Sequence, residues 1–332
     1  MLPSMEGHRY EMLFTIQDFE FTITHMIHVI TKGGMGNQMF QYAYALQLRK
    51  VNHPKELILL NGALHRFYPS NRKLNLHHFK LDPRTRQCSV FRACWLTGRY
   101  ILRTIATCGI KVFVNLVKRN RVISTEDEMA LLNNGLYFTS DAYHMPIPKK
   151  THGIKHLNSF FQDAKILDGI YDELIESFSI ITPPSSANQQ LIEEINACNA
   201  VCLHIRRGDY LTLPQFQVCD SSYYTNAVQK ACETLDSPVF YCFSTGKEDI
   251  KWIKDNYRFN ADVRYVDLEN PDYEELRLMM TCKHFIISNS TFSWWAAVLS
   301  KASIYEPKKV WAPKVWYHGS DARMALPSWN LI

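Results

Sequence analysis

The feature that most constrains this chain is an apolar run that ends in two adjacent arginines: "AVCLHIRRGDY", residues 200–210. An uninterrupted apolar stretch such as "AVCLHI" suits a strand buried on both faces, which belongs in a parallel sheet. Three more strand-like runs follow, "PVFYCFS", "DVRYV" and "HFIIS", with helix-like stretches between them. Two earlier ones, "MIHVIT" and "ELILL", flank the helical segment "FQYAYALQLRK". This alternation predicts an α/β fold built from βαβ units. Ligands of parallel sheets bind beyond the carboxyl ends of the strands. His204, Arg206 and Arg207 fall at such an end. Arginine grips a phosphate bidentately, as lysine does not, and Asp209 is close enough to lock one guanidinium in place. The residues leave open a purely structural salt bridge between either arginine and Asp209.

The chain has 332 residues, too many for one ordinary core, and predicts two domains. The clearest break is "ITPPSSANQQ", around residues 180–190, which sets the domains at 26–185 and 186–332. Met26 opens the first strand, so residues 1–25 read as an N-terminal extension. A hydrophobic fraction of 46% with 21% charged residues fits a folded globular chain. The net charge of +5 suits an anionic ligand or a negative membrane surface and is too small to argue nucleic acid. Nine cysteines form no C-x-x-C pair, which speaks against a disulfide framework and a zinc site and for a reducing compartment. His77, His78, His152 and His156 read as surface histidines rather than metal ligands.

Residues 95–117 are apolar, but Arg99, Arg103 and Lys111 interrupt them, which argues against a transmembrane helix. No signal peptide is apparent in the sequence. From Pro83 to Thr125 there are nine Lys/Arg and no Asp/Glu. Arg92, Arg99 and Arg103 fall near one helical stripe, close to Phe91, Trp95 and Leu102. This is either a solvated basic helix or an amphipathic surface that rests on anionic lipid or guides a phosphorylated acceptor.

Two further strings carry chemistry. In "GGMGNQ", residues 33–38, glycines between a strand and a helix let a ligand approach the backbone N–H groups. As a dinucleotide fingerprint it fails, because Met39 stands where the last glycine is required. In "SNSTFSWWAA", residues 288–297, hydroxyl and amide groups crowd a helix N-terminus, a second phosphate cradle. "FSTGKED", residues 243–249, lacks the first glycine and the Ser/Thr of a Walker A loop.

Taken together and in this order along the chain, "GGMGNQMFQYA", "HIRRGDY" and "SNSTFSWWAA" resemble the α-1,2-fucosyltransferases of glycosyltransferase family 11; "YEELRLMMTCKHFIISNS", "VCDSSYYTNAV" and "SFFQD" add to the likeness. The resemblance implies a GT-B-like α/β fold, with two Rossmann-like domains facing across a cleft. It implies transfer of L-fucose from GDP-β-L-fucose to the 2-hydroxyl of a terminal β-galactoside, with inversion and with no cofactor or metal. It implies that Arg206 stabilises the leaving diphosphate and that Arg207 and Asp209 shape that site. His204 and Glu275 would lie at the guanosine, Gly34 and Gly36 at the donor, and Asn37 at the reacting sugar. Ser290, Thr291, Phe292 and Ser293 would line the donor pocket. The general base is unassigned, with Asp209 a candidate. The "FSTGKED" loop departs from the "FSDD" usual at this point, so no role is carried to it. The expected setting is cytoplasmic, with peripheral contact at the inner membrane through residues 84–121 and a glycan acceptor that is lipid-linked, and without nucleic acid. The competing readings are a Rossmann oxidoreductase using NAD and a non-catalytic glycan- or nucleic-acid-binding protein.

Overall fold

The computed structural model describes residues 25–62, 73–117, 124–138, 147, 151, 153–300, 307–320 and 323–332. The extension expected at residues 1–25 lies outside them apart from His25, as do His152, Lys118, Arg119 and Arg121.

β1 (Met26–Ile30), β2 (Leu57–Asn61), β3 (Thr85–Gln87), β4 (Leu136–Tyr137) and β5 (Lys155–Leu157) form a five-stranded sheet in the order β3-β2-β1-β5-β4. β6 (Asn199–His204), β7 (Pro238–Phe243), β8 (Asp262–Tyr265), β9 (His284–Ile286), β10 (Val310–Ala312) and β11 (Asn330–Leu331) form a six-stranded sheet in the order β11-β10-β9-β6-β7-β8. Every pairing within these two sheets is parallel. The fold is thus α/β of the GT-B-like kind, as expected. The central strands β1, β5, β6 and β9 are buried along almost their whole length because helices cover both of their faces.

α1 (Met35–Asn52) is buried around most of its circumference, including Phe40, Tyr42, Tyr44 and Leu46. Such a helix must be sandwiched. Here one neighbour is α9 (Thr291–Leu299), with the Phe40 ring 4.7 Å and 4.9 Å from the rings of Trp294 and Trp295. Trp295 Nε1 donates to Gly36 O at 3.0 Å. One apolar core therefore runs from the first sheet into the second.

The opposite face of the first sheet is covered by α2 (Val90–Val117), which turns at Gly109, where φ is 79°. Next comes α3 (Thr125–Asn133), capped by Ser124, whose hydroxyl accepts from Asp127 N. α4 (Tyr171–Ser177) leads to the "TPPSS" break, where Ser185 caps α5 (Ser186–Asn196) by accepting from Asn188 N. The second sheet is wrapped further by α6 (Ser221–Thr234), α7 (Lys247–Asn256) and α8 (Asp272–Thr281).

All nine cysteines are free, and Cys202 and Cys242 are buried as expected. Among the described residues no helix is long and apolar enough to cross a membrane.

Two expectations are corrected. His156 is not a surface residue: it lies in β5 and is fully buried, its Nδ1 2.9 Å from Nδ1 of His28. The strand pairs with β1, which places the two imidazoles side by side. Arg103 does not share an outward stripe with Arg92 and Arg99; its guanidinium donates to the carbonyls of Ile154 and Asn134, which loops otherwise leave open.

Candidate active site

A cavity of about 770 Å³ opens beyond the carboxyl ends of the central strands. The first sheet contributes Gly34, Gly36 and Asn37 from the β1–α1 loop, and Phe160 and Gln162 from the segment after β5. The second contributes His204, Arg206 and Asp209 after β6, Glu275 on α8, and Ser290, Thr291 and Phe292 at the start of α9. Ten of the residues expected from the sequence thus line one cavity.

Arg206 stands where β6 ends. Its Nη2 donates to Asp209 Oδ1 at 2.5 Å, and its guanidinium carbon lies 5.2 Å from the Tyr210 ring centroid. Its Nε is buried without a hydrogen-bond partner. The pair is lopsided in exposure, at 15% for the Arg206 side chain and 45% for Asp209. A partly exposed pair of this kind contributes about 1 kcal/mol or less, so an incoming anion can compete with Asp209 for the guanidinium.

Arg207 is not among the lining residues. Its Nε donates to Asp249 Oδ1 at 3.3 Å, and its guanidinium stacks on Trp252. Asp249 Oδ2 also accepts from Gly208 N at 3.0 Å. The acid of the variant "FSTGKED" loop therefore braces the loop that carries Arg206. Gly208 has φ +48, and a Cβ there would meet Thr245 Cγ2 at 3.0 Å, so the turn calls for glycine. Asp249 and Trp252 were missed in the sequence, because nothing local links them to residues about forty positions earlier.

The polar string before α9 divides its work. Ser290 caps the helix, its hydroxyl accepting from Phe292 N at 3.3 Å. Ser288 Oγ is 2.8 Å from His204 Nδ1. Asn289 donates to the carbonyls of Phe216 and Trp316 and accepts from Tyr210, tying together three wall segments. Ser293 is fully buried and donates to Ser290 O at 3.2 Å, so it does not line the cavity. It sits a turn into the helix, facing inward. Only Ser290, Thr291 and Phe292 face the cavity, with the helix dipole behind them.

The two halves meet at Asn37. Its Oδ1 accepts from Thr291 Oγ1 at 3.0 Å and from Gln162 Nε2 at 2.7 Å. Gly36 makes the approach feasible, because a Cβ there would lie 2.7 Å from Phe292 N. Gln162 and Phe160 flank Phe161, a non-glycine residue at φ 54° whose ring stacks on Tyr44 with centroids 4.1 Å apart. Left-handed backbone at such a residue costs about 1–2 kcal/mol. That arrangement turns its two neighbours toward the cavity. The string "SFFQD" was noted in the sequence, but the strained residue in it was not legible.

Titration is shifted here. Burial, and next the Arg206 charge, hold His204 down at about 3, so its imidazole is neutral at pH 7. Burial and the nearby Asp272 charge push Glu275 up to about 7, against the pull of Arg206. Tyr210, Phe216, Trp316 and Tyr317 form an aromatic wall, with Tyr210 and Phe216 stacked at 5.2 Å. Sequence reading gave no signal for this wall. Among the described residues no three His, Cys, Asp or Glu side chains gather as a metal-ligand set.

The family model described as "Glycosyl transferase family 11" matches residues 143–331, more than half of the chain. The O-antigen biosynthesis glycosyltransferase WbnK of Escherichia coli is 28% identical over 325 residues, covering 90% of this chain and 97% of that protein. An alpha-1,2-colitosyltransferase of Escherichia coli is 27% identical, covering 87% and 91%. The Homo sapiens galactoside alpha-(1,2)-fucosyltransferase 1 is 35% identical over 107 residues, covering 30% of this chain and 28% of that protein.

Proposed function

Because the chain belongs to glycosyl transferase family 11, and is therefore a glycosyltransferase, we propose that it moves L-fucose from GDP-β-L-fucose to the 2-hydroxyl of a terminal β-galactoside, with inversion and without metal. The observation that carries this reading is convergence: the Arg206 guanidinium and the N-terminus of α9 line one cavity opposite the glycine loop. Together they supply two fixed sources of positive potential for a diphosphate.

In the proposed reaction the acceptor's 2-oxygen bonds to C1 of fucose while the bond from C1 to the β-phosphate oxygen breaks. The electron pair leaves on the diphosphate, and the hydroxyl proton passes to Asp209. Arg206 and the N–H groups of α9 are preorganised where that negative charge grows, the arrangement that lowers such barriers most. The Glu275 carboxylate accepts the N–H donors of guanine, with neutral His204 beside the nucleoside. Asn37, oriented by Gln162 and Thr291, meets the sugar. Arg207 acts indirectly, by fixing the loop through Asp249.

Calorimetric titration of GDP in the presence of EDTA, with NAD and UDP as controls, tests the donor class and metal independence. Transfer to a terminal galactoside, and none to its 2-deoxy analogue, tests the linkage. The likeness to an alpha-1,2-colitosyltransferase favours a second donor reading. Turnover of GDP-colitose without turnover of GDP-fucose would select it.

A further inference from the structure

The outward face of α2 carries an apolar stripe that none of the described residues covers. At about 100° per residue, Phe91, Trp95 and Leu102 lie within roughly 40° of one line along the helix. Ala93, Leu96, Tyr100 and Thr104 occupy the opposite side and are buried on the sheet. Exposure is 85% at Phe91, 46% at Trp95 and 70% at Leu102, with Val90 and Ile110 each at 66%. Contiguous apolar surface of this kind is rare on a monomer and marks a contact.

The charges that α2 itself carries beside it are of one sign. Arg92 and Arg99 flank the stripe, and the Arg99 guanidinium carbon is 5.7 Å from the Trp95 ring centroid. Residues 84–117 hold Arg84, Arg86, Arg92, Arg99, Arg103 and Lys111, and no Asp or Glu. A second copy packed by two-fold symmetry would set this basic flank against itself. A surface that is negative outside and apolar just beneath fits both features, with Phe and Trp at the boundary and arginine in the headgroups.

We propose that the outward face of α2 rests on an anionic phospholipid bilayer. The placement suits a transferase. Asn61, at the carboxyl end of β2, donates to Thr97 Oγ1 at 3.1 Å. Asn158, just past β5, donates to Tyr100 OH at 2.9 Å. The first turns of α2 therefore sit at the strand ends where Phe160 lines the cavity. If the glycosyl-transfer reading above holds, a lipid-borne acceptor would reach the cavity from that surface; the docking itself does not depend on it.

The test is co-sedimentation with vesicles of phosphatidylcholine alone and of phosphatidylcholine mixed with phosphatidylglycerol. The wild type should partition to the mixed vesicles and come off as salt rises. The Phe91→Ser/Trp95→Ser/Leu102→Ser variant should lose about tenfold or more in partitioning, with unchanged turnover of a water-soluble acceptor. Arg92→Gln/Arg99→Gln should weaken binding and flatten its salt dependence while leaving the helix intact. Failure of the wild type to bind mixed vesicles, or undiminished binding by the triple variant, would overturn the proposal. So would a wild-type dimer that the triple variant converts to a monomer.

Discussion

The guanidinium carbon of Arg207 lies 3.3 Å from the centroid of the Trp252 ring, so the second arginine of the pair is spent on holding a loop rather than on the cavity. Its Nε and the Gly208 N–H both donate to Asp249. The neighbouring Arg206 is thereby presented from a loop fixed at three points.

Arg207→Ala and Trp252→Ala should each lower unfolding free energy by about 1–2 kcal/mol, from the stacking and the lost hydrogen bond. A double-mutant cycle by urea unfolding should give a coupling of about 1 kcal/mol. Strictly additive losses would mean that the stacking has no energetic weight.

Arg206→Ala should reduce kcat for transfer by a factor on the order of 10²–10³, the usual cost of losing one preorganised donor to growing charge. Arg206→Lys should recover little, since an ammonium lacks the planar fork. Thermal stability should barely move, because the pair with Asp209 is partly exposed. Near-normal turnover in either variant would remove Arg206 from the reaction.

Gly36→Ala should cost about tenfold or more in kcat/KM, since a misplacement of roughly 1 Å is enough. The new methyl would press on the backbone at Thr291 and Phe292, at 2.7 Å from each. That push parts the two halves where Asn37 meets Thr291. Steady-state kinetics alongside a thermal melt separates a displaced site from a collapsed fold.

The affinity for GDP should rise from about pH 6 to about pH 8. Glu275 is held at about 7 by burial and by Asp272, so below that pH it must release a proton before it can accept the guanine donors. Each unit below the shifted value weakens binding by up to about tenfold. Glu275→Gln should flatten the profile. A flat wild-type profile would count against the guanine contact.

Stability should fall as pH drops below 6.5. Burial depresses His28 and His204 to about 3, and burial with the His28 charge depresses His156 to about 2, so the folded state binds fewer protons than the unfolded one from 6.5 downward. Each fully shifted group contributes about 1.4 kcal/mol per pH unit. Glu275 has the opposite sign: its raised value favours the fold at low pH, a contribution lost as pH rises through about 7. Three histidines against one glutamate leave the acid side weaker, which urea midpoints across this range will register.

Much of this was legible locally. "AVCLHI", "PVFYCFS" and "HFIIS" are mostly apolar runs, "DVRYV" alternates, and each became a parallel strand. Short strands such as Leu136–Tyr137 and Asn330–Leu331 show no period to read, and they escaped notice. His156 and its neighbour Lys155 look like surface residues in sequence. Both are fully buried, Lys155 in an ion pair with Glu56. Such partners are visible only when strands are side by side.

By itself the sequence determined the α/β class, the loops that line the cavity, and the residue types able to hold a diphosphate. Those follow from periodicity and from side-chain chemistry, which are local properties. The tertiary structure decided which of those residues face one another. β6 pairs with β7, so the loops after them are neighbours, and Asp249 with Trp252 draws Arg207 away while Arg206 stays in the cavity. α1 packs on α9, so Asn37 reaches Thr291 across 254 positions of chain. Contacts at that separation are set by the order of strands and the packing of a shared core, and no short stretch of sequence encodes either.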